Sequence, residues 1–171
     1  MTFNTSDQTV RKTSGWFAPP GADPFTHFIQ GEAAHGGWFD MPVITHVKDN
    51  LYHGGFVDNL DLGDAFDVIV SMYPWEKYPT NGETFQFKMY DGYDVDTATL
   101  GLAVAEAEKA LNAGKKVLVH CQAGLNRSSL VVARILMRQG MTADEAIALL
   151  REKRSPTVLC NRTFEAYLRS K

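Results

Sequence analysis

Only two cysteines, Cys121 and Cys160, occur in the 171 residues of this chain. Two thiols cannot form a disulfide framework, and without a C-x-x-C pair they offer no structural zinc site. A secreted, disulfide-stapled scaffold and a zinc module are thus excluded, and an intracellular, cytoplasmic setting is expected. Long apolar runs are also missing. No stretch reaches the roughly 18 residues needed to span a bilayer. The opening MTFNTSDQTVRKTSG is polar, without the apolar segment of a secretory leader, so neither export nor membrane association is expected. Basic charge is not in excess: 17 Lys and Arg stand against 20 Asp and Glu, a net charge of −3. The balance argues against nucleic acid as a main partner, because a duplex binder usually presents a dominant basic face. The balance is uneven, since residues 1–150 hold 11 basic and 18 acidic side chains (net −7) and residues 151–171 hold 6 and 2 (net +4). The basic end reads as a solvated helix face.

Residues 1–37 form an N-terminal extension. It is polar, then rich in Pro and aromatics (GWFAPPGADPF), then Gly-rich (AAHGG). Such composition is expected to form no regular element, and to be partly ordered by docking through Trp16, Phe17, Phe25 and Phe28. Residues 38–171 form the principal domain. VITHV and LYHGG read as short strands around an Asp49-Asn50 turn, DVIVSMY as a strand buried on both faces, and FQFKMY (Phe85 to Tyr90) as an alternating strand. Residues 97–112 place Leu100, Ala103, Val104, Ala107 and Leu111 on one helical face, with Gly114 as terminator. KVLVH is a further buried strand, and a largely apolar helix runs from about Ser128 to Gln139. Thr142 and Glu145 then form a capping box for a helix to about Lys153, and a last helix carries Phe164, Tyr167 and Leu168. Strands first, then alternation, then helices define an α/β (α+β) domain with a mixed sheet flanked by helices.

The chemistry is concentrated in VLVHCQAGLNRSS, where a buried strand runs into Cys121, five residues intervene, and Arg127 precedes a helix. A loop curling from strand to helix turns its backbone N–H groups inward, and the helix N-terminus adds about half a positive charge. Gln122, Ala123, Gly124, Leu125 and Asn126 would then cradle a phosphate-sized dianion, with Arg127 forking onto two of its oxygens. The same field favours a thiolate at Cys121, the reactive form of the thiol. Ser128 can donate to that sulfur.

His120-Cys121-Gln122-Ala123-Gly124-Leu125-Asn126-Arg127-Ser128 resembles the H-C-x5-R-[S/T] phosphate-binding loop of the cysteine-based protein tyrosine phosphatase superfamily, in its dual-specificity branch. DNLYHGG and NRTFEAYL also resemble that branch's opening strand and closing helix, so the likeness spans about residue 40 to the C-terminus. The resemblance implies a central mixed sheet of about five strands and a two-step reaction through phosphocysteine, without metal or other cofactor. The substrate implied is a phosphorylated protein or peptide, cleaved at Tyr and also at Ser or Thr. Oligomeric state is left open.

The implied mechanism needs a general acid about 30 residues before the cysteine. YDGYDVD supplies Asp91, Asp94 and Asp96; Asp91 fits the spacing best, Asp94 is next, and helix capping is the alternative role for those not used. The neutral Gln122 and Leu125 argue against an inositol-lipid head group. Ala123 stands where the RNA 5′-phosphatase branch carries histidine. A phosphate-binding module without activity is the reading from another class. Low-molecular-weight phosphatases place the acid after the cysteine, and rhodanese-type loops are shorter. His120 reads as a core histidine shaping the loop; His27, His35, His46 and His53 read as surface or turn residues. Cys160 is either a redox partner for Cys121 or, more commonly for a lone cysteine, a small buried apolar group. Tyr73, Trp75 and Tyr78 either rim the site or pack a turn, and Arg154 and Arg162 read as solvated cations ahead of a second phosphate site.

Overall fold

The computed structural model describes residues 10–12, 16–33 and 35–171. Residues 1–9 and 13–15, in the polar opening from which no secretory leader is expected, lie outside the described residues.

The five-stranded sheet consists of β4 (Ile44–Lys48), β5 (Leu51–Gly54), β6 (Val68–Ser71), β7 (Glu83–Gln86) and β8 (Val117–His120). Its spatial order is β4-β5-β8-β6-β7, with β4 antiparallel to β5 and every other pair parallel. Every residue of β6 and β8 is buried, as uninterrupted apolar strands require when both faces are covered. Asp49 takes a positive φ of 49° in the tight turn between β4 and β5, a conformation that Asp tolerates.

The α1 helix (Thr97–Asn112) buries Leu100, Ala103, Val104, Ala107 and Ala110 and packs on β6 and β8. Asp96 caps it by accepting from the Thr99 backbone N–H at 3.0 Å, and Gly114 follows its end with φ 75°. The α2 helix (Arg127–Arg138) packs on β8, β5 and α1, with Leu130, Val131, Val132, Ala133, Ile135 and Leu136 buried. Both arms of the expected capping box are formed by Thr142 and Glu145 at the start of α3 (Ala143–Lys153). Asn161 caps α4 (Arg162–Arg169), accepting from Thr163 and Phe164.

Two sequence expectations need correction. The strand placed at residues 85–90 is β7 at Glu83–Gln86. Its one neighbour among the described residues, β6, is four residues long, so pairing stops once Phe87 N–H has donated to Ser71 O at 2.8 Å. The N-terminal extension also carries regular structure. Strands β1 (Val10–Lys12) and β2 (Phe28–Ala33) join β3 (Trp38–Pro42) in a separate antiparallel sheet of order β1-β2-β3. Pairing with β3 satisfies backbone groups that the local composition could not, across a turn whose Gly37 takes φ 72°. The extension is anchored mainly through Trp16, which is 3% exposed, donates from Nε1 to Gln30 O at 2.7 Å and sets its ring edge-on to Phe39. Phe25 packs against Tyr52 and Phe66, whereas Phe17 and Phe28 are mostly exposed.

Candidate active site

The segment from Cys121 to Asn126 leaves the end of β8 and enters α2 at Arg127. Cys121 N–H donates to Gly54 O at 3.3 Å, but among the described residues none of the N–H groups of Gln122 to Asn126 donates to a backbone carbonyl. Their carbonyls, by contrast, are engaged from outside. Arg154 donates from Nε to Gly124 O at 2.8 Å and from NH2 to Ala123 O at 2.9 Å. Leu125 O accepts from Leu159 N–H and from Ser129 Oγ, and Gln122 O accepts from Phe56 N–H. Holding the carbonyls from one side orients the peptide dipoles of the loop, an arrangement suited to an anion. Gly124 has φ 72°, and a Cβ there would lie 2.5 Å from Gly54 O. Gly55 approaches equally closely, since its Cβ would lie 2.8 Å from Ala123 O. The paired glycines of LYHGG therefore let β5 run directly beneath the loop.

Cys121 is buried, with Sγ 3.2 Å from Ser128 Oγ. Arg127, also buried, donates from NH1 to Met89 O at 3.4 Å and lies over the Tyr73 ring at 5.6 Å. His120 fits its expected part: burial pulls its pKa down to about 4, and the neutral ring donates from Nδ1 to Cys121 O at 3.1 Å.

The three candidate aspartates separate. Asp91 is buried beside the loop, where Oδ2 accepts from Asn126 Nδ2 at 2.9 Å and Oδ1 from Asn161 Nδ2 at 2.7 Å. His35, from the β2–β3 turn, brings Nε2 to 3.6 Å from Asp91 Oδ1. Asp94 is exposed, and Asp96 is the α1 cap. The Asn126 side chain points out of the cradle, toward Asp91 and Asn161, so Asn126 meets the loop interior only through its backbone.

Arg154 and His53 depart from expectation. Arg154 is buried, and NH1 reaches Pro42 O at 2.8 Å and Thr45 Oγ1 at 3.0 Å in addition to its two loop carbonyls. Burial lowers its pKa to about 10, opposed by Cys121 and Tyr78, so it stays a cation under the loop. A residue in the charged run REKRSP looks solvated because sequence does not show that α3 ends against the loop. His53 is fully buried on β5 rather than at a turn, with Nε2 2.9 Å from Ser128 Oγ. Arg162 is exposed. Tyr78 is buried, donating to Gly55 O and accepting from Val57 N–H, while Tyr73, Trp75 and Tyr90 form a chain of ring contacts leading outward from Arg127. Cys160 exchanges sulfur contacts with the Asn126 amide, and burial raises its thiol pKa. Among the described residues, no group of three or more His, Cys, Asp or Glu side chains could hold a metal, and no helix is long and apolar enough to cross a membrane.

A mixed five-stranded sheet with flanking helices and a Cys-x5-Arg loop between its central strand and α2 is the architecture of cysteine-based phosphatases. Residues 55–171 match the family model described as the dual specificity phosphatase catalytic domain, and the chain belongs to that family. It is 40% identical over 118 residues to protein tyrosine phosphatase type IVA 3 of Mus musculus, covering 66% of this chain and 68% of that protein. It is 30% identical over 135 residues to tyrosine-protein phosphatase vhp-1 of Caenorhabditis elegans, covering 73% of this chain but 20% of the larger relative. Among solved structures, human DUSP28 superimposes with a TM-score of 0.63 at 23% identity, over 75% of this chain and 92% of that one. That likeness is one of fold.

Proposed function

We propose that the chain is a cysteine-dependent phosphatase that hydrolyses phosphate monoesters on protein tyrosine, and on serine or threonine, through a phosphocysteine intermediate. The observation carrying this reading is the loop itself: a buried Cys121 is followed by five consecutive N–H groups that have no backbone acceptor among the described residues, with Arg127 at the following helix N-terminus. Family membership and the protein phosphatase names of the relatives support it.

In the first step Cys121 Sγ attacks phosphorus as the P–O bond to the side chain breaks, and Asp91 gives its proton to the departing oxygen. Arg127 and the loop N–H groups hold the equatorial phosphoryl oxygens, where charge spreads in the transition state. In the second step water attacks phosphorus, Asp91 takes its proton, the S–P bond breaks, and the electron pair returns to sulfur beside the Ser128 hydroxyl. Asp91 is supported as the acid over Asp94 because its carboxylate is hydrogen-bonded to Asn126, the residue next to Arg127. The aromatic wall of Tyr73, Trp75 and Tyr90, with Lys88 Nζ 5.2 Å from the centre of the Tyr90 ring, supports an extended peptide carrying a flat aryl phosphate.

The test is phosphate release from p-nitrophenyl phosphate and from matched phosphotyrosine, phosphothreonine, phosphoinositide and triphosphorylated RNA substrates. Wild type is expected to turn over the aryl phosphate and the phosphopeptides, and Cys121→Ser is expected not to. Binding without release points instead to a silent phosphate-binding module.

A further inference from the structure

The hydrogen bonds around His53 give it a part that β5 alone does not require. His53 Nε2 lies 2.9 Å from Ser128 Oγ and 3.1 Å from Ser129 Oγ, and Nδ1 is buried with no hydrogen-bond partner among the described residues. Ser129 has one hydroxyl hydrogen, and its Oγ donates to Leu125 O at 2.8 Å. Toward His53, therefore, Ser129 can only accept. If Nε2 carried no hydrogen, its lone pair would face that of Ser129, and the hydrogen on Nδ1 would be a buried donor with nothing to bond. Orphaned buried donors are rarer than under-used acceptors. With the hydrogen on Nε2, both conflicts vanish, and the N–H is directed between the two hydroxyl oxygens, nearer Ser128. Ser128 Oγ then accepts from His53, which leaves its own hydrogen for Cys121 Sγ at 3.2 Å.

We propose that His53 is a positioning residue: a neutral Nε2–H donor that turns the Ser128 hydroxyl toward the Cys121 sulfur, where its O–H stabilises the thiolate, including the one left when the S–P bond breaks and its electron pair returns to sulfur. The assignment rests on the phosphatase reading for its kinetic consequence, although not for the chain of hydrogen bonds itself. Burial, and then the charge of Arg154, keep the His53 pKa well below 6.5, so the ring stays neutral at physiological pH. No hydrogen moves along the chain during the reaction. His53 fixes a direction, and Ser128 makes the contact with sulfur.

This part differs from that of a residue which merely fills space under the loop, because its effect passes through a single hydroxyl. A hydrogen bond to a charged partner changes a rate by about tenfold. The experiment is a double-mutant cycle of His53→Leu and Ser128→Ala in the full chain. It is read as the rate of phosphoenzyme breakdown in rapid-quench assays, and separately as the pH profile of iodoacetamide alkylation at Cys121, located by peptide mass spectrometry. Each single variant is expected to slow breakdown about tenfold and to move the alkylation midpoint to higher pH. In the Ser128→Ala background, His53→Leu should change either readout less than twofold, since its target is already gone. Independent, multiplying losses would overturn the proposal.

Should His53→Leu not fold, the pair His53→Gln and His53→Asn decides. A Gln amide nitrogen sits near the position of Nε2 and an Asn amide nitrogen near that of Nδ1. Gln is expected to keep the wild-type alkylation profile and Asn to lose it; equal loss in two folded variants would overturn the assignment. A wild-type protein that releases no phosphate, yet shows the coupled alkylation profiles, retains the His53 assignment and removes the phosphatase reading.

Discussion

Asn161 Nδ2 donates to Asp91 Oδ1 at 2.7 Å, and the same side chain caps α4 through its Oδ1. One residue thereby joins the start of the last helix to the candidate acid, and its backbone N–H, donating to Asn126 Oδ1 at 2.9 Å, brings in the loop between Cys121 and Arg127. If Asp91 supplies the proton, its loss matters most where the leaving oxygen is most basic. Asp91→Ala is expected to cut kcat by about a hundredfold or more on an alkyl phosphate, and far less on an aryl phosphate with an acidic leaving group. Asn161→Ala, acting through Asp91, should show the same leaving-group pattern at about tenfold, with roughly 1 kcal/mol of stability lost from the cap. A uniform loss on both substrates would make Asn161 only a cap. A larger effect from Asp94→Ala would transfer the acid's part to that exposed residue.

Arg154 holds the loop from below through the carbonyls of Ala123 and Gly124, and ties it to Pro42. Its removal leaves buried acceptors unpaired and takes away a buried cation beneath the loop. Arg154→Met is expected to cost about 3 kcal/mol of stability by chemical denaturation and to weaken phosphate or vanadate binding by at least about tenfold. Arg154→Lys should not restore it, since one ammonium cannot match four acceptors set around a planar fork. Wild-type affinity in the lysine variant would show that charge alone is sufficient.

Local chemistry explains why the loop was readable and its supports were not. Cys121, Gly124 and Arg127 act within seven consecutive residues, and α1 and α3 carry their own caps and periodicity. Arg154 and Asn161 depend on where helices end in space, and His53 depends on β5 passing under α2. Nothing local distinguishes them from a surface cation, an ordinary cap or a strand histidine. The N-terminal sheet was missed for a related reason. Its strands are weak alone and persist because β2 pairs with β3 and Trp16 finds a pocket beside Phe39.

Two buried neutral histidines set an acid limit on stability. Burial lowers the pKa of His120 to about 4, and that of His53 well below its ordinary value. Between pH 6.5 and about 4 the unfolded chain takes up protons that the folded chain refuses, so stability is complete above this window and falls as pH drops through it. His120 contributes a slope of up to roughly 1.4 kcal/mol per pH unit there, and His53 adds to it in the same direction. Urea midpoints measured from pH 7.5 to 4.5 should fall steadily below 6.5, and a folded His120→Gln variant should lose less over the same range. A wild-type midpoint that is flat from pH 7 to 5 would contradict the neutral, buried assignment.

The N-terminal sheet reaches the site through His35, whose Nε2 lies 3.4 Å from Asp91 O and 3.6 Å from Asp91 Oδ1. What holds that sheet is Trp16, bonded to Gln30 and flanked by a parallel bridge in which Ala18 N–H donates to Asp58 O at 2.8 Å. Trp16→Ala empties the pocket beside Phe39 and is expected to cost about 3 to 5 kcal/mol by thermal or chemical denaturation. If the sheet opens before the main domain, amide exchange will speed up across residues 28–42 while β6 and β8 stay protected. Turnover of an aryl phosphate should then persist, because Cys121, Arg127 and Arg154 lie in the larger body. Simultaneous loss of protection in β8 would instead make the two sheets one cooperative unit, with the extension necessary to the fold of the larger body.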